Sequence, residues 1–135
     1  MNKDFWNNLS RPIVALSPMD GYTDSAFRRV CKSVNPNIVV VTEFTSAEGL
    51  NHHAPRIVER FRFDPSEQPI IAQLFGSNVD SFVDAARWLE AKGFAGIDLN
   101  MGCPSRQVIR SEQGFALRQN HEKAFRIIDA VARST

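Results

Sequence analysis

The chain has 135 residues, of which 43% are apolar, 10% aromatic and 23% charged. These proportions are typical of a soluble globular domain and exclude a disordered tail, a collagen-like repeat or a disulfide-stapled miniprotein. Sixteen basic and fifteen acidic side chains give a net charge of +1, which argues neither for nor against a nucleic-acid partner. We find no signal peptide and no apolar run of about 20 residues, so we expect a cytoplasmic protein without a membrane contact.

Four short apolar runs alternate with segments of helical periodicity. The runs predict buried strands at residues 13–16, 38–41, 69–76 and 95–99. Continuous apolar strands spaced by amphipathic helices indicate an α/β fold, with a parallel sheet covered by helices. A doubly wound open sheet and part of a (β/α)₈ barrel of the TIM type both have this pattern. No Gly-x-Gly-x-x-Gly or Walker-type loop follows a strand, which favours the barrel, with about the first four βα units present.

The first predicted helix, which Thr23 or Asp24 caps, has one apolar stripe. Four apolar residues follow the spacing i, i+3, i+4, i+7, and they are Phe27, Val30, Cys31 and Val34. We therefore expect Cys31 in the core, and Arg28 with Arg29 on the outer face. The helix after the third strand begins at residue 77 or 78 and buries Val79, Phe82, Val83, Ala86 and Leu89. A long loop over 100–120 precedes the last helix.

Polar and unusual residues lie where the predicted strands end. They are Ser17-Pro18-Met19-Asp20-Gly21, Thr42-Glu43, Gln73 with Gly76, and Asn100-Met101-Gly102-Cys103-Pro104. In both candidate architectures the carboxyl ends of the strands meet at one edge of the sheet, where the chemistry takes place. The sequence therefore predicts one site built from these four segments.

Cys103 is the most informative residue of the predicted site. It lies between Gly102 and Pro104, a few positions after a strand, and therefore in a tight loop. A thiol in such a loop can act as a nucleophile or as a proton donor. The alternative is a cysteine that only fills space beside the turn, since cysteine is among the most buried residue types.

The amides and the first turn each have two interpretations. The amide of Gln73 or Asn100 can donate and accept at once, which suits the edge of a heterocycle, but it can also hold a loop backbone. The turn at Pro18-Met19-Asp20-Gly21 offers backbone groups and a flexible methionine to lie against a flat ring. A purely structural turn has a similar sequence.

Two further sets of side chains carry weaker signals. Arg106 and Arg110 follow Cys103 on a polar loop, where they can contact phosphate or simply be solvated. His52 and His53 are adjacent, so their side chains diverge, and no thiol or carboxylate is suitably spaced. We therefore expect no metal site.

Together these segments resemble the N-terminal half of a tRNA-dihydrouridine synthase. The similar segments are residues 17–24 with Phe27-Arg28, 42–44, 73–76 and 96–104, in the family's order and approximate spacing. The resemblance implies an FMN-dependent (β/α)₈ barrel that reduces the C5=C6 bond of uridines in tRNA, with NADPH as the reductant. The implied roles are proton donor for Cys103, flavin contacts for Pro18, Met19, Asp20 and Gln73, and substrate contacts for Asn100 and Arg106.

The sequence departs from the family's pattern in the loop after Cys103, where 111–115 keeps only Gly114, and at Asp20, where many relatives have a small residue. It also stops after four units, although a full barrel needs about 250 residues. Residues 1–135 are thus expected to form half of the barrel and no second domain. Half a barrel leaves sheet edges unpaired, so we expect dimers, aggregation or partial disorder. The competing functions are a dihydroorotate-dehydrogenase-like enzyme and a non-catalytic fragment.

Overall fold

The computed structural model describes Met1, residues 5–52 and residues 54–135. The strands are β1 (Val40–Val41), β2 (Thr45–Ser46), β3 (Ile70–Phe75) and β4 (Gly96–Leu99). The α-helices are α1 (Ser25–Val34), α2 (Ala47–Asn51), α3 (Pro55–Glu59), α4 (Val79–Ala91), α5 (Arg106–Arg110), α6 (Phe115–Gln119) and α7 (His121–Ser134). Short 3₁₀ helices lie at Phe5–Asn8 and Pro65–Glu67.

β3 is the centre of a parallel sheet. β1 pairs with the first two residues of β3, and β2 pairs with its last two residues. β4 pairs along the opposite edge of β3, from Ile71↔Gly96 to Leu74↔Leu99. Every strand pairing in the described part of the chain is parallel. The predicted α/β class with a parallel sheet is therefore confirmed.

The first predicted strand is much weaker than expected. Residues 13–16 contribute one isolated parallel bridge, from Ala15 to Val39, and Val14 is 47% exposed. The Leu16 N–H donates to the Val39 carbonyl at 2.8 Å, and the Val39 N–H donates to the Val14 carbonyl at 2.9 Å. Among the described residues this segment has a neighbour on one side only, so its apolar side chains are not covered as a central strand's are.

The core lies between β3 and the helices α2, α4 and α7. Phe82, Ala86 and Leu89 of α4 are buried, as the sequence predicts, and they pack with Ile70 and Leu74 of β3. Asn78 caps α4, accepting from the Ser81 N–H through its side chain, and Gly93 follows its end with φ of +88°. The predicted loop over 100–120 contains the two short helices α5 and α6.

The face of α1 that packs inward is the polar one. Arg28 is 1% exposed and Lys32 is buried, whereas Val30 is 60% and Val34 82% exposed. The predictions of an outward Arg28 and a core Cys31 are wrong, since Cys31 is only half-buried. The inward cations are tolerated because each has acceptors: the Arg28 Nε donates to the Glu67 carboxylate, and the Lys32 Nζ donates to the carbonyls of residues 36 and 68, at 3.3 and 2.7 Å. Burial lowers the pKa of the Lys32 ammonium.

None of the helices in the described ranges is long and apolar enough to cross a membrane.

Candidate active site

A cleft of about 520 Å³ opens at the carboxyl ends of the parallel strands. Eight of its eleven lining residues come from three of the four predicted segments, and they are Ser17, Pro18, Asp20, Gln73, Asn100, Met101, Gly102 and Cys103. The other three are Phe44, Asp98 and Leu99. Five of the seven predicted site residues therefore meet in one place. Met19 and Arg106 do not line this cleft.

Gln73 lies on β3, and its hydrogen bonds connect three of the polar residues in and beside the cleft. Its backbone N–H donates to the Thr42 Oγ1 at 3.1 Å, which ties β3 to the end of β1. Its side-chain Nε2 donates to the Asp98 carboxylate, and its Oε1 accepts from the Asn100 Nδ2 at 3.0 Å. A primary amide has two N–H groups and two lone pairs, so one donor and one acceptor site of Gln73 are left for a ligand.

Asn100 holds the loop that carries Cys103. Its Oδ1 accepts from the backbone N–H of Cys103 at 3.0 Å and of Gly102 at 3.3 Å. Its Nδ2 donates to Gln73, so one side chain links the cysteine loop to β3. This is the loop-holding interpretation of the amide, and contact with a substrate base stays a prediction.

Cys103 borders the cleft and is half-buried. Its carbonyl accepts from the Phe115 N–H at 3.2 Å, which brings the start of α6 against the loop. Gly114 has φ of +58°, and a Cβ there would lie 2.8 Å from the Cys103 carbonyl oxygen and 3.2 Å from its Cβ. The position therefore requires glycine, because a side chain would be both strained and overlapped.

The turn at residues 17–21 forms the opposite wall. Pro18 and Asp20 line the cleft, whereas Met19 is 39% exposed. The Gly21 N–H donates to the Glu43 carboxylate, and the Arg60 Nη1 donates to the Asp20 Oδ1 at 2.8 Å. Asp20 is thus neutralised at the rim of the cleft by a partner from beyond α3.

Arg106 is the first residue of α5 and is exposed, as is Arg110 at the end of that helix. Neither forms an ion pair within the described residues. Both guanidinium groups are therefore accessible next to the cysteine loop, and a contact with phosphate stays a prediction.

Sequence reasoning missed Asp98 and Phe44. Asp98 of β4 lines the cleft and holds the amide of Gln73, and Phe44 packs edge-on against Phe75 at 5.3 Å between ring centroids. The signal for Asp98 was present, since it is an acidic residue between Ile97 and Leu99 in an apolar strand. An acid in that position needs a hydrogen-bond partner or an open cleft.

The described residues contain no group of three His, Cys, Asp or Glu side chains that could hold a metal ion. His52 is exposed, and His53 lies outside the described residues.

In parallel α/β folds, binding and catalytic sites lie at the carboxyl edge of the sheet, and in this chain a thiol, amides and carboxylates line a cleft at that edge. The family model for dihydrouridine synthase matches residues 14–135, which include every residue of the cleft. The chain therefore belongs to the dihydrouridine synthase family.

Curated relatives agree with this assignment. A probable tRNA-dihydrouridine synthase of Staphylococcus epidermidis is 38% identical over 134 residues, which are 96% of this chain and 40% of the relative. One from Staphylococcus aureus is 37% identical over the same shares. Probable tRNA-dihydrouridine synthase 2 of Bacillus subtilis is 35% identical over 119 residues, 87% of this chain and 37% of the relative. The chain thus spans about 40% of the length of these relatives.

Proposed function

We propose that this chain forms the first four βα units of an FMN-dependent (β/α)₈ barrel that reduces uridine to 5,6-dihydrouridine in tRNA. The observation that carries the proposal is the meeting of Cys103, Asn100, Gln73 and Pro18 in one cleft of a dihydrouridine synthase chain. The relatives named above are probable tRNA-dihydrouridine synthases, which supports tRNA as the substrate. We also propose a cytoplasmic location, where tRNA would be available as the substrate.

The cleft suits a flat, polar ring such as that of a flavin. Gln73 has one N–H and one lone pair beyond its bonds to Asp98 and Asn100, and Pro18 lines the opposite wall. None of the described residues that line the cleft is a lysine or an arginine. These residues therefore fit the ring of FMN, and its phosphate would need a cationic partner outside this set.

If FMN were held against Gln73 and Pro18 and reduced by NADPH, it would supply the hydride for C6 of the uracil ring. Hydride addition at C6 would leave negative charge shared by C5 and the oxygen of the neighbouring C4 carbonyl, so a proton would have to arrive at C5. Cys103 donates its thiol proton there, which completes the addition of two hydrogens across the double bond. Asn100 fixes the backbone of this acid and connects it to Gln73, the residue proposed to hold the flavin ring.

Arg106 is proposed to contact the phosphate backbone of tRNA. It begins α5, three residues beyond Cys103, and it is exposed. A tRNA strand that delivers its base to Cys103 passes this guanidinium, which can bind a phosphate in a bidentate manner.

A chromosomal substitution tests the function in the protein as it is made in the cell. Cys103→Ala removes the acid, and we expect dihydrouridine to disappear from the tRNA positions that also lose it when the gene is deleted. General acid catalysis contributes about 10²–10⁴-fold to a rate, enough to abolish the modification during growth. Position-resolved mass spectrometry of tRNA measures the result, and Cys31→Ala on α1 is the matched control, since Cys31 does not line the cleft.

A deletion strain with unchanged tRNA would refute the proposal. Purified protein that reduces free pyrimidines but not tRNA would instead support a dihydroorotate-dehydrogenase-like enzyme. Protein that binds no FMN would support the non-catalytic fragment.

A further inference from the structure

Arg28 and Glu67 form an ion pair that is almost completely buried. Arg28 is 1% exposed and Glu67 is 0% exposed, and the Arg28 Nε lies 2.6 Å from the Glu67 Oε2. The other carboxylate oxygen accepts from the Ser25 Oγ and, at 2.8 Å, from the Asp64 N–H. The anion is thus satisfied on both oxygens, and it fixes the guanidinium between α1 and the 3₁₀ helix at residues 65–67.

The Arg28 guanidinium also forms a hydrogen bond on the side that faces the turn of residues 17–21. The Arg28 Nη1 donates to the Thr23 carbonyl at 2.6 Å, and Thr23 is fully buried. The Thr23 Oγ1 in turn donates to the Met19 carbonyl and accepts from the Met19 N–H, both at 3.1 Å. This hydroxyl therefore contacts both backbone groups of Met19, whose carbonyl also accepts from the Tyr22 and Thr23 N–H groups at 3.1 and 3.0 Å.

Other contacts on this turn lie near solvent. The Arg60–Asp20 pair is 41% and 50% exposed at its two side chains, and exposed pairs of this kind contribute little. Gln73 and Asn100, on the facing wall, are held by the sheet itself. The contacts that run from Glu67 through Arg28 to Thr23 are therefore the buried ones that join this turn to the interior of the fold.

We infer that Thr23 and Arg28 are positioning residues that hold the Pro18–Gly21 turn at the distance from Gln73 that a flavin ring needs. The inference rests on the proposed function and assigns it two residues that do not line the cleft. A binding wall that is fixed before the ligand arrives avoids the entropy cost of ordering it, so the chain of contacts raises the affinity for the ring.

The test uses two substitutions at one position in the full-length protein. Thr23→Val has nearly the same shape but lacks the hydroxyl, whereas Thr23→Ser keeps the hydroxyl. We expect Thr23→Val to speed amide hydrogen exchange at Met19 and Thr23 and to weaken FMN binding about tenfold, measured by quenching of flavin fluorescence. Thr23→Ser should restore both properties. Ser33→Ala on α1, which removes an exposed hydroxyl bonded to the Val30 carbonyl, should change neither.

The outcomes separate this inference from the proposed function. Wild-type protein that binds FMN, together with a Thr23→Val variant of equal affinity and equal exchange, overturns the inference and leaves the proposed function intact. Wild-type protein that binds no FMN refutes the proposed function and, with it, the flavin role of the turn. Loss of affinity in both Thr23→Val and Thr23→Ser would also contradict the inference, because the hydroxyl would then not be the cause.

Discussion

Gly114 shows how the cysteine loop depends on a residue without a side chain. A Cβ at this position would lie 2.8 Å from the Cys103 carbonyl oxygen and 2.8 Å from a methyl group of Val108. The loop cannot keep its present path over α6 with any other residue there. The sequence contained the glycine, but its contact with Cys103 depends on the turn between α5 and α6, which periodicity does not predict.

We predict that Gly114→Ala destabilises the protein and displaces Cys103. Backbone strain at positive φ costs about 1–3 kcal/mol, and overlap with the cysteine loop adds to it. Gly93→Ala is the matched control, because Gly93 has φ of +88° but a Cβ added there would meet nothing within 4 Å. Chemical denaturation and the rate of Cys103 alkylation by iodoacetamide measure the two effects.

The alkylation rate should change in Gly114→Ala and stay at the wild-type value in Gly93→Ala. Equal unfolding free energies for the two variants would contradict the proposed contact.

Asp98 orients the side-chain amide of Gln73 in the cleft. Its carboxylate accepts from the Gln73 side chain, and this fixes which end of the amide faces Asn100. Asp98→Ala releases the amide, and we expect FMN affinity to fall several-fold without loss of the fold, since Asp98 is exposed. Flavin fluorescence titration measures the affinity, with Asp129→Ala on α7 as a control remote from the cleft. Unchanged affinity would show that the orientation of Gln73 does not matter.

At the scale of elements, periodicity predicts some helices well and fails for α1. For α4 and β3 the apolar pattern and the buried face coincide, because both elements pack within the core of the described chain. In α1 the apolar stripe is exposed and the buried side chains are Arg28 and Lys32. Two of their acceptors, the Glu67 carboxylate and the carbonyl of residue 68, lie 39 and 36 residues further along the chain, so no local pattern could have predicted these contacts.

A pair of helix substitutions tests this reversal. Phe82→Ala on α4 should lower the free energy of unfolding by about 3–5 kcal/mol, because it opens a cavity in the core. Val34→Ser on α1 should change it by less than about 0.5 kcal/mol, because Val34 is 82% exposed. Urea denaturation followed by circular dichroism measures both. A large loss in Val34→Ser would mean that the apolar face of α1 is covered.

The candidate site was more predictable than the helix faces. Parallel strands align their carboxyl ends, so residues that follow different strands meet whatever the details of packing. Gln73, Asn100 and Cys103 were placed in this way, and they share the cleft. The hydrogen bonds from Gln73 to Asp98 and from Thr23 to Met19 were not predicted, because the strand pattern does not determine the geometry of side chains.

At the scale of the whole molecule, the described chain has two open sheet edges and one exposed apolar helix face. Residues 13–16 and β4 lie at opposite edges of the sheet, and α1 presents Phe27, Val30 and Val34 to solvent. Open edges and apolar faces favour association. We predict that the isolated 135-residue chain forms dimers or larger species, and that Val30→Glu with Val34→Lys shifts it toward the monomer. Light scattering after size-exclusion chromatography would contradict this by showing a stable wild-type monomer.

We propose that Cys103 donates a proton to a nucleobase in the cleft that Gln73 and Pro18 border. Single-turnover oxidation of the FMN-loaded, reduced protein by tRNA tests it most directly, because flavin absorbance then reports the chemical step alone. We predict that Cys103→Ala slows this oxidation by about 100-fold or more at unchanged FMN affinity, while Cys31→Ala matches the wild type. An equal rate in Cys103→Ala would contradict the account.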